Sequence, residues 1–266
     1  MNPYLELTRE FNRGALRAIV SSGPAVVLLR LSVASKDGDW ILRERPEALA
    51  YVHSVLAGHG ASYRFGAPLD VRWMAGGWSA HFEFRERGLR LRTDFVTRPP
   101  RLTPGDLAAL WLQVQSDEWP HVDARRLVAL KQTGRERDYA VIGELARLIG
   151  EPREQLLASR SADDLIALAA RHAPDVRELV ERRPLLRHAT AGDRAALERA
   201  LDAERRAFMA ADVARLQRYA TAAARWAAAW PELQRDVASL PLDAQHARLV
   251  TAASDLLPLK PAEAGP

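Results

Sequence analysis

The sequence predicts a sheet domain of α/β or α+β class with flanking helices, followed by an all-helical region. Three observations carry this. From about Arg17 to Phe95, short apolar runs are broken by turn residues. Within that stretch, "GGWSAHFEF" and "LRLRTDFV" alternate apolar and polar residues with the period of a strand. From Pro104 onward glycine becomes sparse and apolar residues recur at three- and four-residue spacing, as on helix faces. The expected boundaries are a sheet domain over 1–103, a helical region over 104–258 and a disordered tail over 259–266.

The elements follow in chain order. "SKDGDWIL", Ser35 to Leu42, opens an apolar run with the look of a strand. "RPEALAYVHSVLAGHG" starts at a proline and ends at a glycine, as helices often do. Next come three alternating segments, "VRWMA", "GGWSAHFEF" and "LRLRTDFV". Their separators, Gly76-Gly77 and Arg87-Gly88, suit tight hairpin turns. "DLAALWLQ", "ARRLVALK", "YAVIGELARLI" and "ADDLIALAARH" then read as helices, ahead of a long alanine-rich one around 193–229.

Composition removes several function classes. With 266 residues, 48% of them apolar, the chain can bury a substantial core. It has no cysteine, which excludes disulfides, thiolate nucleophiles and cysteine-bound zinc. Any metal is therefore held by oxygen or histidine. No run of eighteen apolar residues occurs and "MNPYLELTRE" lacks signal-peptide character, so a soluble, cytoplasmic protein without a membrane partner is expected. Lys and Arg number 38 against 34 Asp and Glu, a mild bias toward a phosphate-bearing partner.

Asp37 and Asp39 are the first candidate site. Period two places them on one face of a strand and Trp40 on the other. Asp94 shares a face with Arg90 and Arg92 in "LRLRTDFV". If the two strands are neighbours, three carboxylates converge, and such a cluster either takes up a proton or holds a divalent metal, typically Mg²⁺ beside a nucleoside triphosphate. The alternative is an acidic surface turn.

The order of motifs resembles the nucleotidyltransferase superfamily, and within it the AbiEii-like toxins of toxin-antitoxin and phage-defence systems. "AIVSSGPAVVLLRLSVASKDGDW" offers Ser21, Ser22 and Gly23 as the small-residue slot, "PAVVLLRL" as a helix and "SKDGD" as the metal element. Asp94 matches the third aspartate, and "LVALKQTGRERDYAVIGEL" supplies Lys131, Gly134, Arg135 and Asp138. The likeness spans roughly 15–148. It implies a nucleotidyltransferase-fold mixed sheet, Mg²⁺ or Mn²⁺ at Asp37, Asp39 and Asp94, and a triphosphate met by Ser21, Ser22, Gly23, Lys36, Lys131 and Arg135. It implies catalytic roles for Asp37, Asp39, Asp94, Lys131 and Asp138, an acceptor hydroxyl on a tRNA or other RNA, a protein or a small molecule, and an antitoxin partner. Two positions depart from the pattern. Gly38 stands where an aliphatic residue packs under the sheet, and Ser22 where a glycine is usual. A degenerate site serving as a binding or scaffold module is the competing reading.

Each motif also has a plain structural reading. Ser21 to Gly23 suit an ordinary turn as well as a phosphate cradle. Lys131 and Arg135 suit a solvated helix end, and Asp138 a helix-surface pair with Arg135 or Arg137. Trp226 and Trp230, four apart, read as core anchors. Arg64, Arg72, Arg90 and Arg92 read equally as a basic rim for RNA or as solvated strand faces. His81 alternates with Phe82 and Phe84, and is the one histidine placed to approach the site.

Overall fold

The computed structural model describes residues 2–262. Two compact units divide the chain: residues 1–122 with 217–266, and residues 123–216. The helical run that begins at Pro104 is shared between them.

The first unit is built on a five-stranded mixed sheet of order β1-β2-β5-β4-β3, with β1 Ala18–Val20, β2 Gly38–Leu42, β3 Ser62–Gly66, β4 Ala80–Glu86 and β5 Leu89–Val96. Among the described strand pairs, β2 and β5 run parallel and the others antiparallel. α1 (Pro3–Phe11) starts where Asn2 accepts the Tyr4 N–H, with proline at the first position. It brings Tyr4, Leu7 and Phe11 to one face of the sheet, where Phe11 and Trp40 meet edge to face at 5.3 Å and Trp40 stacks on Phe95 at 5.4 Å. α3 (Pro46–Gly58) packs against α1 and α14 (Leu242–Leu256). The opposite sheet face carries the polar residues of alternate positions. β4 and β5 join at Arg87 and Gly88, both at positive φ, the two-residue turn that right-twisted strands favour.

One expected segment changes identity. "VRWMA" forms a short helix, α4 (Val71–Met74), and not a strand. Asp70 caps it by accepting the Arg72 N–H at 2.9 Å, and the adjacent Trp73 and Met74 are both fully buried, which strand alternation would forbid. Gly76-Gly77 accordingly closes a helix and not a hairpin. The carbonyl of Leu259 occupies the space a Cβ on Gly76 would need. The indoles of Trp73 and Trp78 donate to the carbonyls of Leu257 and Pro258. The tail expected to be disordered from 259 therefore begins against this turn, and its last four residues lie outside the described ones.

The unit also contains α2 (Ser22–Leu28), α5 (Pro104–Gln113), the end of α12 (Arg194–Ala222) and α13 (Ala224–Val237). The single helix expected over 193–229 is thus two, broken at Ala223. Trp226 of α13 is 4% exposed, donates to the Gly66 carbonyl and lies 5.6 Å from Trp230.

The second unit consists of α6 (Ala124–Leu130), α7 (Glu136–Arg147), α8 (Pro152–Ala158), α9 (Ala162–Arg171), α10 (Ala173–Leu179), α11 (Leu186–Thr190) and most of α12. A leucine-rich core of α8 to α12 holds it together, around Leu156, Leu165, Leu186 and Leu197. Arg183, almost fully buried, ties this core by donating to the carbonyls of Leu156 and Ser159 and to Glu204.

Candidate active site

The mixed sheet assembles a row of chemistry-bearing residues on its polar face. Parallel pairing sets Asp39 beside Asp94, antiparallel pairing sets Asp94 beside His81, and His81 faces Phe65. Asp37 precedes β2 by one residue. Its Oδ1 is buried and has no hydrogen-bond partner. Burial, then the charge of Asp37, and less strongly those of Asp39 and Asp94, push the Tyr4 phenol above its ordinary value, against a lowering backbone hydrogen bond at Arg92.

The small-residue turn lies alongside. Ser21 donates its backbone N–H to the Asp39 carbonyl at 2.8 Å. A Cβ placed on Gly23 would stand 2.4 Å from the Ser35 hydroxyl and 4.0 Å from an Asp39 carboxylate oxygen. Side chains at this turn would therefore fill the space over Asp39. Ser22 sits at φ 48°, in the left-handed region that glycine adopts without cost. Lys36 is exposed, and its carbonyl accepts from the Tyr4 hydroxyl.

Gly38 leaves no gap beneath the sheet. A Cβ there would fall 2.4 Å from Cη2 of Trp40 and 2.6 Å from Cδ1 of Tyr4. The Trp40 indole, anchored by donation to the Thr8 hydroxyl at 2.9 Å, occupies the volume an aliphatic side chain would take. The departure at Gly38 and the tryptophan two residues on are one packing solution.

Asp94 is held differently from Asp37. Its Oδ1 accepts from His81 Nδ1 at 2.7 Å and from Arg64 at 2.8 Å. Burial pushes its carboxyl up, but the hydrogen bond and charge of His81, with those of Arg64, outweigh this and hold it below the usual range. Arg64 reaches Asp94 because β3 carries a bulge: Tyr63 faces Phe82 while Phe65 faces the next residue, His81. Bulges re-aim side chains in this way beside functional sites. Of the arginines that read equally as a basic rim or as solvated strand faces, Arg64 pairs with Asp94, Arg72 with Asp70 and Arg90 with Glu83.

Among the described residues no group of three or more His, Asp or Glu is arranged to hold a metal ion. The pair Asp37 and Asp39 still fits a hard cation, because Asp37 presents a buried oxygen without a partner and both donors are carboxylates. Mg²⁺ typically takes one or two protein carboxylates and completes its shell with water and substrate phosphates. Asp94 is committed to Arg64 and His81.

The remaining expected residues lie in the second unit. Asp138, 5% exposed, lies 3.6 Å from Lys131 Nζ and accepts from Thr133 at 2.5 Å and Arg135 at 2.9 Å. Gly134 donates its N–H to Asp212. These groups brace the α6–α7 connection against α12. Two residues of the first unit's site went unread in the sequence. Ser79, hydrogen-bonded to His81 Nε2 at 2.7 Å, was signalled by its spacing of two from His81, and Phe65, stacked on His81 at 4.1 Å, by nothing but its aromaticity.

No family model matches the sequence, and no curated protein matches it. Two solved structures resemble the fold. One, described as a candidate nucleotidyltransferase from H. pylori, is 13% identical, with 77% of this chain and 95% of that one covered at a TM-score of 0.39. The other, JHP933 from Helicobacter pylori, is 13% identical, with 82% and 99% covered at a TM-score of 0.38.

Proposed function

We propose that the chain is a metal-dependent nucleotidyltransferase, moving a nucleotidyl group from a nucleoside triphosphate to a hydroxyl of an RNA, a protein or a small molecule. The observation that carries this reading is the pairing of Asp39 with Asp94 on neighbouring strands, with Asp37, just before β2, presenting a buried, unpartnered oxygen and a turn of small residues beside Asp39. In it, Asp37 and Asp39 would hold Mg²⁺ or Mn²⁺, which would supply positive charge to neutralise that developing on a triphosphate. The small side chains from Ser21 to Gly23 let phosphate approach the backbone. Lys36 supplies positive charge at the exposed side. Asp94, kept ionised by Arg64 and His81, orients the acceptor's base. We extend the reading to an AbiEii-like toxin with an antitoxin partner on the strength of motif order alone.

Thermal denaturation with divalent metal and each of the four common nucleoside triphosphates tests it. Metal raises the melting temperature by mass action, and a triphosphate adds to this only when metal is present. Asp39→Asn keeps the shape and removes one charge, so it abolishes the metal-dependent shift in a folded protein. A wild-type protein indifferent to every combination would favour the non-catalytic scaffold reading, in which the aspartates are remnants.

A further inference from the structure

The geometry points to Ser79 as a self-modification site: a hydroxyl activated by His81 and Asp94 to accept a nucleotidyl group covalently. This rests on the nucleotidyltransferase reading above and names one acceptor for it. Three groups are joined in the order carboxylate, imidazole, hydroxyl. Asp94 Oδ1 lies 2.7 Å from His81 Nδ1, and His81 Nε2 lies 2.7 Å from Ser79 Oγ. Asp94 Oδ1 faces Nδ1, a position that favours the proton there, which leaves Nε2 turned to the Ser79 hydroxyl as the ring atom able to take its proton. This is the arrangement by which a base is oriented by one neighbour while it deprotonates another.

The chain is shaped to keep it. His81 pairs with Asp94 across β4 and β5, and Ser79, the residue before β4, turns its hydroxyl onto the same imidazole. Gly66 makes room: a Cβ there would stand 2.5 Å from His81 Cδ2 and 2.5 Å from the Ser79 carbonyl. That carbonyl accepts from Ala67 at 2.9 Å, and the Gly66 carbonyl accepts from Trp226. Phe65 covers the imidazole by stacking at 4.1 Å, while Ser79 itself remains partly exposed. Asp39 and His81 are two strands apart, about 10 Å between backbones, a gap the phosphates of one nucleotide can span.

In the step, the Ser79 O–H bond breaks and its proton passes to His81 Nε2. The Ser79 oxygen bonds to the α-phosphorus as the bond from that phosphorus to pyrophosphate breaks, and pyrophosphate leaves. Asp94 stabilises the imidazolium, which returns its proton to solvent.

The test incubates the full chain with Mg²⁺ or Mn²⁺ and each α-labelled nucleoside triphosphate, then maps the adduct by peptide mass spectrometry. Expected is one nucleoside monophosphate on Ser79, none on Ser79→Ala, and a rate about 100-fold lower or less in His81→Asn. In parallel, a fluorophosphonate probe without metal or nucleotide should label Ser79 in the wild type and fail to label His81→Asn. An adduct that survives Ser79→Ala overturns the inference. So does fluorophosphonate labelling without any nucleotide adduct, which would assign the hydroxyl to acyl transfer. No adduct in a protein that still answers metal and triphosphate with a thermal shift overturns the inference and leaves the proposed function standing. No adduct and no thermal response overturns both.

Discussion

Gly38→Ala adds one methyl group to the centre of the Asp-x-Asp element, and the structure sets its cost. The new Cβ would lie 2.4 Å from Trp40 Cη2, 2.6 Å from Trp40 Cζ3 and 2.6 Å from Tyr4 Cδ1. Neither ring can yield cheaply. Trp40 is 1% exposed, bonded to Thr8 and packed on Phe11 and Phe95. Tyr4 is pinned by its hydroxyl to the Lys36 carbonyl at 2.8 Å. Overpacking alone costs about 1 to 3 kcal/mol, and a lost Trp40 hydrogen bond adds about 1 kcal/mol. Gly38→Ala should therefore destabilise by roughly 2 to 4 kcal/mol on these terms. Urea denaturation reads this as a lower midpoint at unchanged slope. The decisive arm is a double-mutant cycle. Trp40→Leu removes the ring that fills the slot, so in that background Gly38→Ala should cost less than about 1 kcal/mol, a coupling of order 1 to 3 kcal/mol. A Gly38→Ala cost within about 0.5 kcal/mol of zero, typical of an open surface site, or one indifferent to Trp40, would refute the packing account.

Other perturbations have equally definite outcomes. His53 and His246 face each other at 4.7 Å beside Asp243, Asp70, Arg72 and Tyr63, and burial followed by the charge of His246 lowers His53 to about 4. Because the folded pKa lies below the unfolded 6.5, the unfolded chain binds the proton first. Stability is full above pH 6.5 and falls by about 2 to 3 kcal/mol between pH 6.5 and 4; melting curves in that window for wild type and His53→Gln should converge at low pH. Ser22→Gly relieves a left-handed φ and should stabilise by up to about 1 kcal/mol, whereas a loss in chemical denaturation would mean that the Ser22 hydroxyl is required. Trp226→Ala empties a site 4% exposed and should cost about 3 to 5 kcal/mol; unchanged stability with lost nucleic-acid binding would make it a recognition residue instead.

The sheet face was legible because period two does not depend on tertiary context. Parity put Asp94 on one side of its strand, and the parallel β2–β5 pairing sets Asp39 against it; Asp37 falls in the bend before β2, where period two no longer governs. What escaped detection has no local signature. The bulge that turns Arg64 onto Asp94 is a register event between two strands, and Tyr63 to Phe65 reads the same with or without it. "VRWMA" alternates like a strand, yet Asp70 and the burial of adjacent Trp73 and Met74 make it helical. The break at Ala223 falls within the best helix formers, so propensity could not announce it, while Trp226 just beyond it docks on Gly66. Gly38 looked like a gap because the residue that fills it is two positions away.

The division among the carboxylates follows from electrostatics. Two ionised groups about 5 Å apart on neighbouring strands repel by about 3 kcal/mol at an effective dielectric near 20. A sheet that sets Asp39 beside Asp94 must offset that, and it does so on one side only. Arg64 at 2.8 Å attracts Asp94 by more than Asp39 repels it, and His81 adds a hydrogen bond, which is why the Asp94 carboxyl stays below its usual range despite burial. Asp94 therefore needs no metal to remain ionised, and its resting charge is available to orient His81. Asp37, with a buried oxygen that no protein group satisfies, is left with a demand that a divalent cation would meet. The same bulge that supplies Arg64 thus separates a carboxylate that manages protons from a pair suited to a metal.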